Sequence, residues 1–114
     1  MKTLDDIPLS QRDRSAIEEA SCILLRSDFV EKIILFGSKA RGDDDRESDI
    51  DLLVLTNRPF SRAERHSITD ALFELELRFQ VVISTIVVTS DAWHSGPFSV
   101  LPIHGEIEEQ GVAA

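Results

Sequence analysis

Among 114 residues there is one cysteine, Cys22, and no tyrosine. A lone cysteine closes no bridge within the chain, which excludes a disulfide-stapled scaffold and is consistent with a reduced, cytoplasmic protein. Five glycines and four prolines are too few for a collagen-like or low-complexity chain. Purely apolar runs such as Ile33–Phe36 and Leu52–Leu55 reach only four residues, against the roughly 20 that a membrane span needs. The opening stretch, MKTLDDIPLSQRDR, lacks an apolar leader core, so no signal peptide is expected. Basic residues are scarce as well: 12 Lys and Arg stand against 21 Asp and Glu, a net charge of −9. Proteins that track a phosphate backbone usually show the opposite balance, so general nucleic-acid binding is disfavoured. A divalent cation or a basic protein partner suits this charge better.

What is present reads as alternating helices and short strands. Ser10 and Asp13 look like a capping-box start for a helix reaching about Asp28, with Ile17, Ala20 and Leu24 on one face. Ile33–Phe36 reads as a buried strand ending at Gly37. Residues 37–48, GSKARGDDDRES, form a charged turn with room for one helical turn from Ser38 to Arg41. Asp49–Leu55 reads as a second strand, broken by Asn57, Arg58 and Pro59. A helix is expected from Arg62 to Phe79, with Ser61 and Glu64 as a capping box. Its buried face would carry Ile68, Leu72, Leu75 and Phe79, and Glu74 and Arg78 would pair on its surface. Val81–Thr89, VVISTIVVT, reads as a third, interior strand. A short turn or helix follows at Asp91–Ser95, then a partly helical segment, Phe98–Gln110. Cys22 is expected in the core. The pattern predicts one α/β or α+β domain over residues 1–114, with a small sheet of about three strands and helices packed on it. A sheet so small would need helix cover or a second chain, hence a homodimer or hetero-oligomer.

Chemistry concentrates around the 37–48 turn. Strand alternation puts Asp49 and Asp51 on one face, their Cα atoms about 6.5–7 Å apart. Two carboxylates at that spacing converge on one or two divalent cations, and Mg²⁺ favours a few carboxylates together with substrate phosphates. Across the turn, Gly37 permits close approach of a phosphate, and Ser38 offers a hydroxyl and a backbone N–H. Lys39 and Arg41 add positive charge, to reach a phosphate or to pair with the acidic loop, Asp43–Asp45 and Glu47. If both halves line one site, the two strands must run antiparallel. The three histidines show no metal-ligand spacing.

The segment GSKARGDDDRESDIDLLVL resembles the signature of the DNA polymerase β-like nucleotidyltransferases: Gly-Ser, ten residues (39–48), then Asp-x-Asp. Size and layout resemble the minimal nucleotidyltransferases, which are often paired with a HEPN protein as a toxin–antitoxin module. The resemblance implies a polymerase β-like fold and Mg²⁺-dependent transfer of a nucleoside monophosphate, AMP above all, from an NTP to a hydroxyl. The partner implied is a HEPN-type toxin. Asp49 and Asp51 would be the catalytic, metal-holding pair; Gly37, Ser38 and Arg41 would face the triphosphate. One departure stands out. Active members carry a third carboxylate on the next strand, whereas Val81–Thr89 contains neither Asp nor Glu, and Ser84 or Thr85 stands there instead. The alternative is therefore an antitoxin that binds nucleotide but neutralises its partner by contact.

Overall fold

A computed structural model describes residues 1–45 and 47–114; Arg46, in the acidic turn, lies outside the described residues. Three seven-residue strands form the centre: β2 (Val30–Phe36), β3 (Ile50–Thr56) and β4 (Ile83–Thr89). Two-residue strands at the ends of the chain, β1 (Lys2–Thr3) and β5 (Val112–Ala113), complete a sheet of order β1-β5-β2-β3-β4. The architecture is thus the expected mixed α/β one, but with five strands in place of about three. The terminal pair escapes a periodicity reading because two residues show no alternation; long-range pairing alone defines them. β2 and β3 are antiparallel, as the common site required, and β3 and β4 are parallel.

Alternation along β3 divides the interior into two cores. Ile50, Leu52 and Val54 face α1 (Gln11–Leu24) and α3 (Arg62–Phe79), meeting Ala16, Ile17, Ala20, Leu24, Leu72 and Leu75. Leu53 and Leu55 face the other way, with Ile34 and Val88, toward Trp93 of α4 (Ser90–Ser95) and Ile107 of α5 (Pro102–Gln110). The Trp93 indole N–H donates to Glu108 Oε1 at 2.9 Å, which ties α4 to α5. Pro102 is no obstacle to α5, because it occupies the helix start, where its missing N–H is not needed.

Local signals held well at α3. It spans the expected residues, and Ser61 and Glu64 cap it reciprocally. Elsewhere, tertiary contacts altered the picture. α1 stops at Leu24. Arg78 pairs with Glu19 of α1 rather than with Glu74. Cys22 is exposed, not in the core. β4 is not interior: it is the last strand of the sheet, and six of its seven residues are half-buried or exposed, Val88 alone being buried. No helix among the described residues is long and apolar enough to cross a membrane.

Candidate active site

Register fixes the centre of the site. Phe36, the last residue of β2, lies opposite Asp51 of β3, so the chain turns at Gly37 directly beside that carboxylate. Gly37 has φ +78° and ψ −158°, a conformation essentially restricted to glycine. A Cβ there would sit 2.4 Å from Asp51 Oδ2. The bend and the acid are therefore in contact, and only a residue without a side chain lets them be.

Beyond Gly37 the predicted helical turn forms as α2 (Ser38–Arg41). It closes on itself: the Arg41 amide donates to Gly37 O at 3.1 Å, and the amides of Gly42 and Asp43 donate to Ser38 O at 2.9 and 3.1 Å. Gly42 ends the turn in the left-handed region at φ +80°. Ser38 thus sits, half-buried, at the start of a tight, backbone-bonded knuckle.

Asp51 is half-buried, and Asp49 just before β3 is exposed. Burial, and then the negative charge of Asp49, push the Asp51 carboxyl above its usual range, while Arg41 works in the opposite direction. Both neighbours are thus close enough to act on it. Such a pair fits a divalent cation, which would relieve the repulsion and the desolvation together. Among the described residues no group of three or more His, Cys, Asp or Glu side chains gathers as a metal cage. Two carboxylates with open positions suit an Mg²⁺ that takes its remaining oxygens from phosphates and water.

Lys39 and Arg41 part ways. Lys39 is wholly buried, with Nζ 2.8 Å from Asp13 Oδ2 and 3.1 Å from Asp44 Oδ2. It anchors the knuckle to α1 and does not reach outward. Burial alone would raise the Asp13 carboxyl, but the hydrogen bond and charge of Lys39 outweigh it and hold the group below its ordinary value. Sequence reasoning gave Asp13 only a capping role beside Ser10 and missed its pairing with Lys39. Its signal was present: it precedes Ile17 by four and so shares the apolar face of α1. Arg41 stays at the surface, its Nε 3.1 Å from Asp43 Oδ2, with its charge still felt at Asp51.

On β4, Ser84 pairs with Asp51 and Thr85 with Leu52. Ser84 therefore shares the Asp51 face, whereas Thr85 is on the opposite one. Both are exposed. The five residues expected to form the site, Gly37, Ser38, Arg41, Asp49 and Asp51, gather at one end of the β2–β3 hairpin, and no acid joins them from β4.

The nucleotidyltransferase domain family matches residues 17–108. Three proteins of Methanocaldococcus jannaschii, each named "putative protein adenylyltransferase", are similar over part of their length. One is 38% identical over 60 residues, 53% of this chain and 61% of that protein. A second is 40% identical over 65 residues, 57% of this chain and 60% of that one. The third is 47% identical over 58 residues, 49% of this chain and 40% of its own. The chain thus spans about 60% or less of the relatives it matches. In fold it is similar to a solved structure titled as a toxin-antitoxin with AMP-PNP, with a TM-score of 0.57 at 22% identity, covering 84% of this chain and 70% of that one.

Proposed function

This chain belongs to the nucleotidyltransferase domain family, and from that premise we propose that it transfers AMP from ATP to a hydroxyl of a HEPN-type protein, acting as the antitoxin of a toxin–antitoxin pair. The observation that carries the reading is the contact between Gly37 and Asp51, which joins the Gly-Ser bend to the acidic pair. Similarity to proteins named as protein adenylyltransferases supports a protein acceptor, and the likeness in fold to the toxin-antitoxin complex is in keeping with the same assembly.

In this reading Ser38 and the backbone at Gly37 receive the triphosphate, and Arg41 lies beside it. Asp49 and Asp51 would hold Mg²⁺, which when bound supplies positive charge to the phosphate oxygens and the leaving group. The acceptor oxygen bonds to the α-phosphorus while the bond from that phosphorus to the bridging oxygen breaks. Pyrophosphate departs, and the hydroxyl proton passes to solvent, because Ser84 offers no base at the place beside Asp51.

That same serine favours a second reading. Loss of a positioned base costs about 10²–10⁴-fold, so the chain would bind nucleotide and silence its partner by contact. One experiment addresses both. Radiolabelled ATP, Mg²⁺ and the partner are incubated with the wild type and with an Asp49→Asn/Asp51→Asn control. Label on the partner above the control supports transfer. Full neutralisation by the control supports contact.

A further inference from the structure

Among the described residues, only Lys39 and Asp13 are both charged and buried, at 0% and 3% exposure. The transfer chemistry uses neither. A buried ion pair is also a weak device for stability, because desolvation offsets much of the attraction. Yet Lys39 directly follows Ser38, inside the bend that forms one half of the site. A helical turn rotates about 100° per residue, so Ser38 and Arg41 leave α2 on one side, and Lys39 and Ala40 on the other. Burial agrees: Lys39 and Ala40 are buried, Ser38 is half-buried and Arg41 is exposed. Ala40 joins the core beneath α1, and Lys39 Nζ lies 2.8 Å from Asp13 Oδ2 of that helix. The opposite side carries Arg41, whose charge reaches Asp51. The rotation that turns Lys39 toward α1 is thus the one that puts Ser38 on the side of the acids.

The same ammonium reaches the other half of the site. Asp44 Oδ2 lies 3.1 Å from Nζ. Asp45, the next residue, is laced to Ser48. Its amide donates to Ser48 Oγ at 3.0 Å, and the Ser48 amide donates to Asp45 O at 3.2 Å. Ser48 immediately precedes Asp49. A run of bonds therefore leads from α1, through Lys39, to the residue before the first acid of the pair. A methionine could fill the space of Lys39, but it could not hold Asp44.

We propose that Lys39 is a positioning residue for the nucleotide site: held between Asp13 and Asp44, its ammonium sets the knuckle that presents Ser38 and the loop that delivers Asp49 relative to one another. This rests on the reading that Mg²⁺·ATP binds at Gly37, Ser38, Asp49 and Asp51. Lys39 faces inward and touches no nucleotide; it acts through the segments that it joins. Asp44 separates this role from folding. Without Asp44, Lys39 keeps Asp13, so neither buried charge is stranded. Deleting a negative charge near a triphosphate would by electrostatics alone tighten binding. Weaker binding without Asp44 therefore reports displacement of the groups that bind.

The test is calorimetric titration of Mg²⁺·ATP into the full chain, with thermal melting of each sample followed by circular dichroism. The variants are Asp44→Ala and the charge-neutral Lys39→Met/Asp13→Leu, with Asp49→Asn/Asp51→Asn as the control that removes the acids. Both variants are expected to melt close to the wild type, while Kd for Mg²⁺·ATP rises about 10–100-fold, as when a group that orients a ligating residue is lost. Asp44→Ala decides the matter if the double variant does not fold. Wild-type affinity in either folded variant would overturn the proposal. So would a weakening of Asp44→Ala that comes with a lowered melting temperature, since Lys39 would then support only the fold. A wild type that binds no better than the control overturns the nucleotide reading and this proposal with it. Binding that is lost in the control but kept in Asp44→Ala overturns this proposal alone.

Discussion

Ser84 lies beside Asp51 in the parallel register of β3 and β4, so a hydroxyl occupies the place where a third acid would complete the pair. A carboxylate introduced there would serve the acceptor hydroxyl as a base. Ser84→Asp is therefore expected to raise the initial rate of AMP transfer by about 10²-fold at saturating Mg²⁺. Ser84 is exposed, so the change should not disturb packing. An unchanged rate would mean that the acceptor is not deprotonated from β4.

Gly37→Ala tests the contact between the bend and the acid. The added methyl would lie 2.4 Å from Asp51 Oδ2, on a backbone at φ +78°. The strain is expected to cost about 1–3 kcal/mol in urea unfolding. Mg²⁺-dependent ATP binding, followed by calorimetry, should fall much further than the stability does, since the displaced group is Asp51 itself.

Asp51→Asn should separate stability from function. Burial and the charge of Asp49 both disfavour ionised Asp51, which raises its pKa. Stability linked to its proton is present below the ordinary value of 3.8 and lost as pH rises through the folded pKa. At neutral pH without metal, the neutral amide should therefore melt at a higher temperature than the wild type, while AMP transfer is lost. A lower melting temperature would show that the carboxylate is stabilising where it sits.

Lys39→Met should be among the most damaging single changes in the site. It removes the closer of the two cations on buried Asp13 and leaves only Arg12, 3.3 Å away, to answer its charge, a loss of up to about 3–5 kcal/mol. The double variant Lys39→Met/Asp13→Leu should regain most of that. The pair also predicts a pH profile. Asp13 is held below 3.8, so its contribution is present above that value and lost as pH falls through its folded pKa. Lys39 is raised above 10.5, because Asp13 and Asp44 outweigh the burial that would lower it. Its contribution is present below 10.5 and lost as pH rises through its folded value. Acid unfolding of the wild type should thus be steeper than that of the double variant.

Much of this molecule is local in origin. Ser61 and Glu64 start α3, and its apolar spacing carries it to Phe79, because caps and a 3.6-residue period act within a few turns. The Gly-Ser bend and Asp-x-Asp were legible for the same reason: spacing along two short strands dictates which side chains share a face. The antiparallel pairing of β2 and β3 followed from requiring both halves at one place.

Position in the sheet was not legible. An apolar β-branched run reads alike in the middle of a sheet and at its edge, so β4 looked interior; where it lies depends on which strands find each other across the chain. The same holds for Lys39. Its sequence neighbours are Ser38 and Ala40, and only the packing of α1 brings Asp13, 26 residues away, within 2.8 Å of its Nζ. Residue order alone determined the chemical groups and the bend between them. Tertiary structure decided which cation faces inward, which strand is left open, and that a serine stands beside Asp51, because those outcomes rest on contacts between segments that carry no local signal of one another.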